Sequence, residues 1–413
     1  LQKQSAKRKA NICYCSDIIE LSEANSEETI KEQYFNKFKQ AIIEKHSLHC
    51  TVDKITGKNI SFGVVRMANI KPCIELTKFL LESEFPNGIE IRTMAYHSQQ
   101  VLLLRHEQEK HLDKVLKRKE EQPKWFENNI IRNHIDSCCA ENLIFILVAT
   151  PVEEVGRDHD FDWAVVEPSS YRSIVQLAGR VRRHRKEPVQ NPNISLLQYN
   201  WKAIRSHDKP NKPCFIKPGY EGNSKKTRLN THDLSQLLDV EKIESCIDAI
   251  PRVKKSNGLD HRSSLADLEH YVTHTLLTNY EMSGPDSMQG YLDESWHLTA
   301  MPQQMHQFRK SEPSLNLYLY FAPEKEKLVF AEKDHSGEMV DIGNIYSVKS
   351  INFEIKNLER LWLDRDYLEL LGRYSQQQEL SDTEISRRYG ELSFIYREGN
   401  EYEYSDQFGL VEV

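Results

Sequence analysis

The chain has 413 residues, a formal net charge of −7 and 39% hydrophobic residues, enough for two or three domains with sizeable cores. No apolar stretch approaches the length of a membrane-spanning helix, and no secretory signal is found at the start. A mildly acidic total does not exclude nucleic-acid binding, which needs a local basic stripe rather than a basic whole. The eight cysteines include no CxxC pair and no partnered His pair. They read as small buried hydrophobes in a reducing compartment, and no metal site is assigned to them.

Residues 1–50 form a polar lead-in with one clear helix. Asn25 or Ser26 offers an N-cap, Glu27 and Glu28 fall in the first turn, and Ile30, Tyr34, Phe38, Ala41 and Ile42 form a stripe at helical spacing. From 51 to 200 strand and helix patterns alternate. Strands are predicted at 59–67, 89–98, 142–151, 162–168 and 194–200, and helices at 70–84, 104–121 and 169–184. The near-continuous apolar runs, NLIFILVATP above all, suit parallel strands covered on both faces. The fold class expected is therefore α/β, a doubly wound parallel sheet.

Residues 201–264, rich in Lys, Asn, Pro and Gly, read as a linker with a short helix at 232–250. A smaller α+β domain is expected over 265–413. It begins with a helix at 264–280, then a hairpin of LNLYLYF and KLVFAE across PEKE. Further on come YSVKSINFEI, a helix at 357–374 and a terminal hairpin. Tyr318, Tyr320 and Trp362 read as core rather than as base-stacking platforms.

Ligands of a doubly wound sheet gather at the carboxyl ends of its strands. After the strand NLIFILV, Thr150 supplies a hydroxyl suited to a phosphate oxygen, Gly156 lets backbone approach a ligand, and Asp158 is an acceptor for a ribose hydroxyl. One βα unit later stands QLAGRVRRHRK. If helical, it places Gln176, Arg180 and Arg183 on one face. Two guanidinium groups a turn apart suit a triphosphate whose γ-phosphoryl gathers charge.

ATPVEEVGRD followed by QLAGRVRR resembles motifs V and VI of superfamily 2 helicases. The longer stretch from Val148 to Lys186 resembles the CRISPR-associated helicase–nucleases recruited by type I interference complexes, most like subtype I-F. FGVVRMANIKPC, AYHSQ, PCFIKPGYE and HDLSQLL support that subtype. The resemblance implies that Arg180 and Arg183 are arginine fingers, with Gly156, Asp158 and Gln176 in the nucleotide cleft. It implies that Thr150, Arg66, Asn69, His97 and Ser98 lie along a tracked single DNA strand.

No G-x-x-x-x-G-K-[ST] loop and no DEAD-like carboxylate motif is present, so neither the phosphate cradle nor the Mg²⁺ carboxylate of such a motor is in this chain. The His-Asp pairs at 159–160, 207–208 and 232–233 lack further ligands and read as surface or capping residues. The chain thus reads as the C-terminal part of an ATP-dependent translocase, inactive alone. Its ATP site would be completed by a first RecA-like domain, with a nuclease domain upstream and Mg²⁺ held by the parent. Single-stranded DNA and a CRISPR RNA-guided surveillance complex are the implied partners, and a prokaryotic cytoplasm the implied location. The alternatives are another superfamily 2 helicase, or a non-catalytic protein-binding scaffold with a degenerate helicase domain.

Overall fold

The apolar runs become strands whose side chains alternate between two buried faces. A computed structural model describes residues 7–21, 26–119, 124–206, 212–216, 218–278, 314–342, 348–351 and 354–412. Strands β1 (Ala10–Cys13), β2 (Thr51–Val52), β3 (Asn59–Arg66), β4 (Ile89–Tyr96), β5 (Asn142–Ala149), β6 (Trp163–Val166) and β7 (Ile194–Leu197) form one sheet. Its order is β1-β7-β6-β3-β5-β4, parallel throughout, with β2 alone antiparallel on β3. The register aligns Arg66 with both Ala149 and Val166, and Tyr96 with Ala149, so four strands end level.

Along β5, Ile144, Ile146 and Val148 face one core, while Leu143, Phe145, Leu147 and Ala149 face the other. The first core is closed by α2 (Glu27–His49) and α3 (Ile70–Glu82), through Tyr34, Phe38, Ile42, Leu76 and Leu80. The second is closed by α4 (Leu102–Leu116), α5 (Asn129–Ser137) and α6 (Tyr171–Ala178). Helices on both faces of a parallel sheet give the doubly wound fold class expected. Gly63 is obligatory in β3, because a Cβ there would lie 2.1 Å from the ring of Trp163. Ser26 is the N-cap of α2, its hydroxyl accepting from Thr29 N. Ahead of α2, helix α1 (Ser16–Leu21) follows β1, an edge strand inside the polar lead-in that hydropathy did not signal.

After β7, helix α7 (Trp201–Arg205) returns across the first core. The single helix predicted at 232–250 is two short ones, α8 (Leu234–Leu237) and α9 (Val240–Ser245), because Asp239 breaks the run by capping Lys242 N. They are followed by α10 (Ile250–Val253) and α11 (Leu265–Leu277). Leu229, Leu234, Leu237, Ile243, Ile247 and Leu265 from this Pro- and Lys-rich stretch join the second core. Glu221, wholly enclosed, organises it by accepting Cys214 N at 2.7 Å, Phe215 N at 2.9 Å and His232 Nε2 at 3.0 Å. Burial would lower the His232 pKa, but hydrogen bonding to Cys214 and Glu221 prevails and raises it to about 9.

Beyond residue 314 lie β8 (Leu315–Ala322) and β9 (Lys327–Lys333), the predicted hairpin, in a sheet ordered β10-β9-β8-β12 with β10 (Met339–Asp341) and β12 (Glu391–Phe394). A three-stranded sheet joins β11 (Val348–Ile351) to the terminal hairpin of β13 (Tyr402–Ser405) and β14 (Gly409–Glu412). Helices α12 (Tyr367–Gln378) and α13 (Asp382–Tyr389) complete this region. The helix predicted at 357–374 begins only at Tyr367. Its first part is a strap that crosses onto the main sheet, where Leu361 bridges Thr93 and Trp362 N donates to Thr93 O at 3.0 Å. Among the described residues no helix is long and apolar enough to cross a membrane.

Candidate nucleotide and nucleic-acid site

The helix carrying the arginine run ends at Ala178, so Arg180 and Arg183 do not share a helical face. Three local features stop it. Gly179 caps the last turn, Val181 is drawn into a parallel bridge with Phe161, and Arg182 takes a left-handed φ of 47°. Arg180 is only 7% exposed. Its Nε donates to Glu153 O at 3.2 Å, its Nη2 to Glu154 O at 2.9 Å, and its Nη1 to Arg157 O. It therefore pins the loop after β5 from beneath.

The neighbouring cations are also partnered. Arg185 binds Asp160 at 2.6 Å and Asp162 at 2.7 Å, and Arg118 reaches Asp162 at 2.8 Å while lying over the Phe62 and Trp125 rings. Most of the basic run is thus held by local acceptors, which explains how an acidic chain tolerates it.

Arg183 differs. Its side chain is 38% exposed, and its Nε meets Asp158 Oδ1 at 2.6 Å. Asp158 also receives Lys119 Nζ at 3.0 Å and faces His184 Nε2 at 3.2 Å. Burial would raise the Asp158 carboxyl, but the hydrogen bonds from Lys119 and Arg183 outweigh it and hold the pKa at about 2. Arg8, Lys119, Asp158, Arg183 and His184 line an open hollow of about 450 Å³. Four cationic or basic side chains around one carboxylate suit a phosphate-bearing ligand, but Asp158 faces these partners rather than standing free for a ribose. The hollow also lies away from the carboxyl edge, beside the segments that lead into β6.

At the carboxyl edge itself the predicted residues divide. Arg66 is fully buried: its Nε meets Glu154 Oε1 at 2.9 Å, and its other nitrogens reach Glu167 O, Ser169 Oγ and Ser173 Oγ. It is a structural brace here, not a contact for a passing strand. His97 is likewise enclosed, and burial holds its pKa down to about 3. Asn69 is the N-cap of α3 yet makes no side-chain cap bond, and Thr150, at the end of β5, makes none either. Ser98 is exposed after β4. Asn69, Thr150 and Ser98 thus follow three adjacent strands, β3, β5 and β4. Gly156 has a φ of 74° with open space beside it, which a Cβ-bearing residue would strain. Gln176 is half-buried, and its enclosed Oε1 has no hydrogen-bond partner among the described residues.

Sequence reasoning missed Arg8, Lys119 and Glu154. Arg8 and Lys119 come from segments with no motif of their own, and Glu154 was passed over inside EEVGRD. Of the His-Asp pairs, His159 is buried, with Nδ1 2.7 Å from Glu153 Oε1 and Nε2 3.2 Å from Asp113 Oδ1, rather than at the surface. His232 is partnered by Glu221, and the pair at 207–208 lies outside the described residues. Among the described residues, no group of three or more His, Cys, Asp or Glu is placed to hold a metal ion.

Residues 59–186 match a family model described as CRISPR-associated nuclease/helicase Cas3, C-terminal. The chain is 32% identical over 351 residues to a CRISPR-associated nuclease/helicase Cas3 subtype I-F/YPEST of Pseudomonas aeruginosa, covering 84% of this chain and 31% of that protein. It is 36% identical over 301 residues to one from Pectobacterium atrosepticum, covering 71% of this chain and 27% of that protein. It therefore spans about a third of the length of these relatives. A crystal structure of T. fusca Cas3 with AMPPNP aligns at 12% identity and a TM-score of 0.40, over 90% of this chain and 40% of that one. By its matched motifs and its 71–84% coverage by these relatives, the chain belongs to the Cas3 nuclease/helicase family and corresponds to its C-terminal region.

Proposed function

We propose that this chain forms one wall of the ATP site of a CRISPR-associated translocase and part of its single-stranded DNA track. The observation that carries the reading is the exposed guanidinium of Arg183, steered by Asp158 over a cationic hollow. ATP, when bound, supplies a phosphoryl group whose leaving charge must be stabilised. Arg183 has the reach to meet that charge once it exchanges Asp158 for phosphate, with Lys119 and His184 beside it. Arg180 supports the site at one remove, by fixing the backbone from Glu153 to Arg157 that carries Gly156. Gln176 brings an unpartnered acceptor from α6. The phosphate cradle and the carboxylate for Mg²⁺ belong, in this reading, to a first RecA-like domain. DNA unwound by that motor would pass to a nuclease domain, recruited by an RNA-guided surveillance complex in a prokaryotic cytoplasm.

Along the carboxyl edge, the exposed Ser98 and half-buried Asn69 offer hydroxyl and amide groups to a strand's phosphates, while Thr150, only 4% exposed, is buried and joins them only if the loop after β5 shifts. The hydrogen-bonded capture of Arg180 and Arg185 favours one competing reading, a scaffold in which the basic run only holds the fold. Binding of ADP with fluoroaluminate, a mimic of the transferring phosphoryl, separates the two. In a complete Cas3-type protein, Arg183→Ala is expected to weaken that mimic by about 10²–10³-fold while leaving ADP affinity nearly unchanged. Equal affinities in variant and parent would leave the scaffold standing.

A further inference from the structure

Two loops outside the motifs gather cations that make no ion pair among the described residues. Residues 222–230 carry Lys225, Lys226 and Arg228, and residues 251–263 carry Lys254, Lys255 and Arg262. The lysines and Arg262 are exposed and Arg228 is half-buried. None of the six has an ion-pair partner among the described residues, in contrast to Arg252 between them, which meets Glu269 at 3.1 Å. Arg228 donates to Asn223 O at 2.6 Å and Arg262 to Arg228 O, but no carboxylate pairs with either, whereas in the QLAGRVRRHRK run Arg183 and Arg185 meet carboxylates directly.

The loops are built, not adventitious. Asn230 N donates to Arg262 O at 2.8 Å, Arg262 Nε reaches Arg228 O at 3.4 Å, and Asn230 Nδ2 meets Ser263 Oγ at 3.1 Å. Within the second loop, Ser256 Oγ and Asp260 N both donate to Asp267. Asp260, the sole carboxylate in either loop, already accepts from Arg262 N. Leu229 N and the loop below it are anchored on Glu221, and Gly219 packs against Ser169 O, just beyond the end of β6. The charged surface is therefore fixed to the main sheet on the side where its strands end.

We infer that these two loops form a second nucleic-acid contact, one that grips the phosphate backbone of a single strand without reading its bases. Six fixed cations on an acidic chain suit a polyanion. Bases find no platform here, since the one aromatic ring in the loops, His261, is stacked on Tyr271 at 3.9 Å and 11°. The inference goes beyond the Thr150, Asn69 and Ser98 edge and does not depend on those residues.

The test is titration of fluorescent single-stranded and duplex DNA by this chain, at several salt concentrations, with Lys225→Gln/Lys226→Gln/Lys254→Gln/Lys255→Gln. Loss of each phosphate contact on a single strand flattens the slope of log affinity against log salt by about 0.7. The quadruple variant is thus expected to lose up to about 2.8 of slope, with an unchanged melting temperature. A greater loss for the single strand than for the duplex supports the inference as stated, and a loss confined to duplex overturns the single-strand assignment. Unchanged slopes overturn it altogether, as does an equal loss in the exposed control Lys54→Gln/Lys327→Gln. An acidic polypeptide that binds the parent but not the variant, with DNA binding intact in both, would overturn it in favour of a protein partner. Asn69→Ala/Thr150→Val removes no cation and should leave the slope alone, so failure of the edge reading and failure of this one are distinguishable.

Discussion

Trp362→Ala is expected to lower the free energy of unfolding by about 3–5 kcal/mol, the range for truncating a buried aromatic. Trp362 is fully enclosed, 300 residues from Phe62 in sequence yet among the rings of Phe62 (5.7 Å), Phe145 (5.3 Å) and His111 (6.1 Å). Its carbonyl accepts from His134 Nε2 at 2.9 Å, and the preceding Arg360 donates to Leu81 O and Ser83 O. The strap from Asn357 to Arg365 is thereby part of the sheet's second core. The indole Nε1 is enclosed with no hydrogen-bond partner among the described residues, so Trp362→Phe should cost much less than the alanine change, about 1.5 kcal/mol or under. Urea denaturation measures both. A loss below about 1 kcal/mol for the alanine variant would mean that the strap is not a working part of this core.

Arg66→Ala is expected to cost about 3–5 kcal/mol as well, for a different reason. Removal of the guanidinium strands the Glu154 carboxylate, whose side chain is 3% exposed, and leaves Ser169 without its donor. A buried charge without its counterion is far costlier than the net worth of the pair, so Arg66→Met/Glu154→Gln should recover much of the stability. If Arg66 instead contacted a strand, the single change would weaken DNA binding and leave the denaturation midpoint in place.

The architecture was legible where apolar runs were long. β3, β4 and β5 each carry eight residues, and the continuous hydrophobicity of β5 demands cover on both faces. β1 was not legible, since Ala-Asn-Ile-Cys is too short for a period and its partner β7 lies more than 180 residues away. The spacing of Gln176, Arg180 and Arg183 reads as a helix, but spacing carries no knowledge of the Phe161 backbone that captures Val181. Nor does spacing separate an arginine that faces a ligand from one that faces carbonyls. Arg66 directly follows the apolar Phe62-Gly63-Val64-Val65 stretch of β3, which was a signal of burial. Arg180, directly after a helix-ending glycine, gave none.

Arg183, which reaches into the hollow, and Arg180, which holds the loop, divide the labour of the site. DNA-stimulated ATP turnover by a complete Cas3-type nuclease/helicase carrying Arg183→Ala tests this division most directly. A fall of about 10²–10³-fold in kcat is expected, with the melting temperature of the parent. Turnover at the parent's rate would contradict it.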